Sequence, residues 1–183
     1  MNVWRWLKTH RRYVDVLLLV AVLGMVTWRF GPQVGAALGL GGERTEIAGE
    51  GVRTLDGTVI TLEDLRGRVV LVNLWATWCP PCVLEMPGFQ RVYEDYRDQG
   101  FTVLGISRDD PGSETRVRAF LREKGITYPV AMQENTRIRG LGEIRSLPTS
   151  LLMGRDGTIR HRITGIYPAP TLRLAVKRLL DEG

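Results

Sequence analysis

Cysteine and histidine are scarce in this chain, with two of each among 183 residues. A four-ligand zinc site at the cysteine pair is not expected, since no third cysteine exists and His10 and His161 lie far from the pair in sequence. Excess charge is also missing from most of the molecule. Of the formal net charge of +5, Arg5, Lys8, Arg11, Arg12 and Arg29 supply five of 25 basic residues and Asp15 one of 20 acidic ones. The remainder stands at 20 against 19, so residues 30–183 are close to neutral and no nucleic-acid surface is expected. No repeat or low-complexity tract interrupts the chain, and its apolar fraction, 44%, is ordinary for one globular domain.

The two cysteines that exist are concentrated in Trp75-Ala76-Thr77-Trp78-Cys79-Pro80-Pro81-Cys82, directly after an unbroken apolar strand signal. A Cys-x-x-Cys pair where a strand passes into a helix can cycle between a dithiol and a small disulfide ring, and the helix N-terminus favours the thiolate. A purely structural disulfide here would close a loop of about four residues and contribute roughly 2 kcal/mol. That is a small return, so the spacing points to redox chemistry.

Tyr13 to Phe30 is an eighteen-residue run whose middle, Val16 to Trp28, carries no charge. At about 1.5 Å per residue it reaches roughly 27 Å, close to the hydrocarbon thickness of a bilayer. Basic residues before it place residues 1–12 in the cytoplasm, with Trp4, Trp6 and Trp28 at the interfaces and Asp15 near the headgroups. The alternative is a cleaved signal peptide, with Ala37-Leu38-Gly39 as a small-x-small site. That site lies far past the apolar run, which favours a retained signal anchor over residues 13–30. The Gly- and Ala-rich stretch that follows makes 31–46 a flexible linker, and 47–183 the folded domain.

Within that domain, Gly51–Leu55 and Thr58–Leu62 flank Asp56-Gly57 as a hairpin, and a short turn follows over 63–67. Arg68–Trp75, apolar on both faces, reads as a central strand. A helix is expected from Pro80 to Gln99, with Phe89, Val92, Tyr93 and Tyr96 inward and a kink at Pro87 that leaves the first turn as a separate platform. Then come a strand at Phe101–Ser107, a helix at Ser113–Lys124, a short strand at Tyr128–Met132 and a weaker helix from Thr136 to Leu141. The hairpin Ser150–Met153 and Thr158–Gly165 turns at Asp156-Gly157, and a last helix begins near Pro170. This order gives an α/β fold, a central mixed sheet with helices on both faces.

The run Val-Asn-Leu-Trp-Ala-Thr-Trp-Cys-Pro-Pro-Cys, with Glu85-Met86-Pro87 behind it and Leu147-Pro148-Thr149 ahead of a hairpin, resembles the membrane-anchored, thioredoxin-like TlpA/ResA-like group of bacterial thiol-disulfide oxidoreductases. The resemblance covers residues 47–183. It implies a thioredoxin-like fold with an N-terminal β-hairpin and a central βα insertion, on the periplasmic side of the bacterial inner membrane. It also implies a glutamate, Glu85, beside the cysteines and a cis-proline, Pro148, facing them. One departure is Thr149-Ser150-Leu151-Leu152-Met153-Gly154, where many members carry an aspartate before the hairpin turn.

Cys79, at the N-cap position, is the expected nucleophile, and Cys82 the resolving thiol. Pro81 has no N–H to give a thiolate at Cys79, so its pKa is expected to be only moderately lowered and the couple reducing. Glu85 is the expected proton acceptor for Cys82. Trp78, Leu147, Pro148 and Thr149 are the expected substrate contacts. No cofactor or metal beyond the Cys79–Cys82 pair is expected. The anticipated partners are a cysteine-containing extracytoplasmic protein, such as an apocytochrome c, a transmembrane thiol electron donor and the lipid bilayer. Alternatives are an oxidase or isomerase of exported proteins, and a copper-handling protein that recruits His161 and Met86. Copper-binding relatives of this kind space their cysteines by three residues, and a peroxiredoxin would carry threonine where Ala76 stands.

Overall fold

The structure, a computed structural model, describes residues 15–25, 48–139 and 144–182. Residues 15–25 form a helix, α1, exposed along its length. They cover only the middle of the expected span over 13–30; its ends, the basic flank 1–12 and the linker 31–46 lie outside the described residues. Among the described residues no helix is long and apolar enough to cross a membrane.

The domain then runs through β1 (Ala48–Thr54), β2 (Val59–Ile60), α2 (Leu62–Leu65), β3 (Val69–Trp75), α3 (Pro80–Tyr96), β4 (Phe101–Ser107), α4 (Glu114–Glu123), β5 (Val130–Arg139), β6 (Thr149–Met153), β7 (Ile159–Thr164) and α5 (Ala169–Asp181). Its strands make one seven-stranded mixed sheet in the order β2-β1-β5-β4-β3-β6-β7. β3 is parallel to β4, from Val69 opposite Phe101 to Trp75 opposite Ser107, and antiparallel to β6, with Leu74 opposite Thr149. That register brings the C-terminal end of β3 beside the start of β6, and so the cysteine loop beside the Leu147-Pro148 loop.

Every residue of β3 is buried. Val69, Leu71 and Trp75 pack with Met86, Phe89 and Val92 of α3, Val117 of α4 and Leu172 and Val176 of α5. Val70, Val72 and Leu74 face the opposite core, with Leu65 of α2, Leu104, Ile106, Leu151 and Ile159. A strand covered on both sides must be apolar on both, which is the pattern the sequence displays.

Both hairpins form at their Asp-Gly turns. At the first, Thr58 N–H donates to the Asp56 carboxylate and Gly57 takes a φ of 95°, the left-handed region that glycine occupies without strain.

Three expectations change. The turn over 63–67 begins as α2, held by a capping box in which Asp64 N–H donates to Thr61 Oγ1 and Thr61 N–H donates to the Asp64 carboxylate. The weak helix from Thr136 is instead the far half of β5 through Arg139, where Val52 pairs with Thr136 and Gly49 with Ile138. β1 needs a neighbour for its backbone groups, and that pairing outweighs a weak helical pattern. The described part of the expected central βα insertion therefore ends in a long strand; residues 140–143 lie outside the described residues. Finally, α3 carries Pro87 within a single helical run and stops at Tyr96, not Gln99, before a 3-10 turn at Arg97–Gln99.

α3 and α5 meet where α3 has no side chain. A Cβ at Gly88 would lie 2.8 Å from the Ala169 Cβ, so glycine is what allows α5 to start against α3. That contact also seats Tyr167, two residues earlier, over the first turns of α3.

Candidate active site

β3 delivers its last residue, Trp75, fully buried, and the chain turns outward through Thr77 and Trp78 into Cys79, the N-cap of α3. The turn is pinned from the neighbouring strand end. Asp109, 3% exposed, accepts from Thr77 N–H at 2.9 Å, from the Thr77 hydroxyl and from the Ser107 hydroxyl at 2.8 Å, with the Arg116 guanidinium 3.4 Å away. Burial alone would raise the Asp109 pKa, but the bonds from Thr77 and Ser107 and the charge of Arg116 hold it below the usual carboxylate range. Sequence reasoning passed over Asp109. Its only signal was a carboxylate two residues beyond a buried parallel strand, at the sheet edge where sites form.

Asp109→Ala is expected to cost roughly 3 kcal/mol in urea unfolding of the oxidised protein, because three buried or half-buried donors lose their acceptor. The pH dependence has a definite sign. A depressed carboxylate contributes stability that is fully present above its unfolded pKa and lost as the pH falls through its folded one. The wild type should therefore lose stability on acidification more steeply than Asp109→Ala.

Cys79 and Cys82 are joined in a disulfide with Cα atoms 5.3 Å apart. Cys79 is 4% exposed and lines a groove of about 430 Å³; Cys82 is wholly buried and does not line it. No side-chain cap closes the first turn of α3, and Pro80 and Pro81 occupy its first two positions, which removes their N–H donors. The opposite bank of the groove is the segment 144–147, and the Leu147–Pro148 peptide bond is cis. Gly165 N–H donates to the Pro148 carbonyl at 2.9 Å and ties this loop to the end of β7.

Glu85 lies three residues beyond Cys82 on the same face of α3 and is 5% exposed. Its Oε1 accepts from Asn73 Nδ2 at 3.0 Å and its Oε2 from Tyr167 N–H at 2.9 Å. Asn73 Nδ2 also donates to Ser150 Oγ at 3.1 Å, while the buried Asn73 Oδ1 has no partner among the described residues. Burial pushes the Glu85 pKa up to about 7, against the opposing pull of Tyr167 N–H and Asn73. A carboxylate in this range can take or give a proton near neutral pH.

The other candidates separate. Trp78 is 63% exposed on the rim of the groove, and Leu147 lines it. Pro148 is buried, and so is Thr149, its hydroxyl donating to the Ser146 carbonyl at 2.8 Å. Met86 is buried in the core. His161 pairs across from Leu152, itself opposite Leu71, which is four residues and roughly 13 Å along the sheet from Trp75. The histidine is thus not brought to the cysteines. Among the described residues no three His, Cys, Asp or Glu side chains gather into a set that could hold a metal ion.

Comparison with known proteins agrees with this geometry. Residues 46–162 match the AhpC/TSA family. The chain is 36% identical over 114 residues to a thiol-disulfide oxidoreductase ResA of Bacillus cereus, covering 62% of this chain and 65%, just under two thirds, of that protein. It is 30% identical over 154 residues to the ResA of Geobacillus thermodenitrificans, covering 84% of this chain and 86% of that one. Among solved structures, a thiol:disulfide interchange protein of the thioredoxin family from Chlorobium tepidum matches with a TM-score of 0.65 at 30% identity, over 76% of this chain and 97% of that one. A Cys-x-x-Cys disulfide at the head of a helix, a mixed sheet and these relatives converge: the chain belongs to the AhpC/TSA family, thioredoxin-like in fold, alongside the thiol-disulfide oxidoreductases named ResA.

Proposed function

We propose that the protein reduces disulfides of cysteine-containing proteins outside the cytoplasm. The observation that carries this reading is the division of the pair: Cys79 borders the groove, while the buried Cys82 stands one turn before a carboxylate poised near neutrality. In the reduced protein the Cys79 thiolate attacks one sulfur of a substrate disulfide. A mixed disulfide forms, and the other substrate sulfur leaves as a thiolate. Cys82 then passes its proton to Glu85 and attacks Cys79 Sγ; the ring disulfide closes and the second substrate thiolate leaves. Two electrons have moved to the substrate, and a membrane thiol donor restores the dithiol by the same exchange in reverse.

Trp78 and Leu147 supply the substrate-facing rim, and the cis-proline loop, Pro148 and Thr149, fixes its shape. Residues 13–30 serve as the anchor in the cytoplasmic membrane of a bacterium. Supporting this, Leu17, Leu18 and Leu19 of α1 are each at least 60% exposed, an apolar surface that water does not favour and lipid does. An apocytochrome c is one substrate of the required chemistry.

The test is the reduction potential of the Cys79/Cys82 couple, measured on the full chain in mild detergent against glutathione or dithiothreitol. A value at or below about −230 mV is expected, toward thioredoxin at about −270 mV. A value near −120 mV would make the protein an oxidant of newly exported chains instead.

A further inference from the structure

Resting on that reading, we propose that the groove selects a substrate segment with an acidic side chain beside its reactive cysteine, and that Arg108 reads the charge. Arg108 and Arg145 both line the groove that Cys79 opens onto, with Trp78, Ile144 and Leu147 supplying apolar wall. Among the described residues no carboxylate lines it. The backbone of Arg108 is fixed, its N–H donating to the Trp75 carbonyl at 2.8 Å, directly at the strand end that presents the cysteines.

Among the described residues the guanidinium of Arg108 is uncommitted. Its neighbour Asp109 is turned into the protein and satisfied by Thr77, Ser107 and Arg116, so the nearest carboxylate in sequence does not neutralise it. Arg108 itself makes no side-chain hydrogen bond or ion pair among the described residues, whereas Arg116, Arg160 and Arg173 each have a carboxylate partner. The guanidinium of a half-buried arginine beside an apolar wall, at the mouth of a reactive site, suits a carboxylate approaching from the substrate. Such a contact acts on recognition and on encounter rate, and salt weakens it.

Two peptides test this, alike except for glutamate or lysine next to a single cysteine, each carried as a mixed disulfide with uncharged thiopyridine. Release of thiopyridone by the reduced full-length protein in mild detergent gives the rate of attack by Cys79. The glutamate peptide should react about tenfold faster at low salt, the preference should shrink severalfold in about 0.5 M salt, and Arg108→Glu should reverse it. Arg108→Lys should keep the sign of the preference. Equal rates for the two peptides in the wild type, or a preference that Arg108→Glu leaves untouched, overturns the proposal. Failure to attack even neutral dithiodipyridine would instead overturn the redox reading. The charge preference is then decided by anisotropy, using labelled peptides with serine in place of cysteine. Tighter binding of the glutamate form supports it, and equal binding overturns it.

Discussion

Replacing Cys82 with alanine is expected to lower disulfide turnover by at least about a thousand-fold while leaving the first attack intact. Cys79 borders the groove and keeps its sulfur, so the variant still forms a bond to the substrate. It then has no second thiol to break that bond. The mixed disulfide should accumulate to one equivalent, as a mass increase equal to one substrate chain that dithiothreitol removes. Cys79→Ala should form no such adduct, because Cys82 is wholly buried and does not line the groove. Multiple turnovers by Cys82→Ala at more than a tenth of the wild-type rate would show that release does not depend on the resolving thiol.

Glu85→Gln is expected to slow the resolving step at pH 7 by about a hundredfold or more and to change its pH profile. In the wild type this step should rise as Glu85 ionises at about 7, since only the carboxylate can accept the Cys82 proton. In the variant that rise disappears, and the rate follows thiol ionisation at higher pH. Rapid-quench measurement of mixed-disulfide decay across pH 5 to 9 separates the two. An unchanged profile would assign Glu85 to structure alone.

Stability should move the opposite way. For an acid whose pKa is raised in the folded state, the native protein binds more protons than the unfolded chain over the interval between the two values. Stability therefore falls as pH rises from the ordinary value of 4.5 to about 7, by roughly 3 kcal/mol at most. Glu85→Gln removes that loss, and the variant should be the more stable protein at pH 8. The substitution also changes the pairing at Asn73, whose Nδ2 faces Glu85 and Ser150 while its buried Oδ1 has no partner among the described residues. Turning the Asn73 amide over presents Oδ1 to a glutamine N–H and to the Ser150 hydroxyl, and the glutamine oxygen still accepts from Tyr167 N–H, but Nδ2 then takes the unpartnered position and offsets part of the gain.

The chemistry was legible along the chain because its signals are local. Two cysteines two residues apart, after a strand apolar on both faces and before prolines that suit a helix start, specify a redox pair at the head of a helix. Both Asp-Gly hairpins and the inward stripe of α3 were readable for the same reason: turn chemistry and side-chain period act within a few residues. α2 is equally local: its Thr-x-x-Asp cap lies within four residues of sequence. The far half of β5 was not legible, since residues 136–139 take their form from β1, more than eighty residues earlier.

What the sequence by itself determined is the reactive pair and the strand that presents it; the proline loop facing them was implied by the family resemblance, and the pairing of β3 with β6 is what sets it there. Only the tertiary structure decided how that pair is served. It placed Tyr167 and Asn73 on the two oxygens of Glu85, sealed Asp109 inward beneath Thr77, left Arg108 at the groove with no carboxylate partner among the described residues and kept His161 away from the sulfurs. The physical reason is that burial and long-range hydrogen bonding set a carboxylate's proton affinity and a cation's availability. Both depend on contacts between residues such as 85 and 167, or 77 and 109, whose proximity exists only once the sheet has closed.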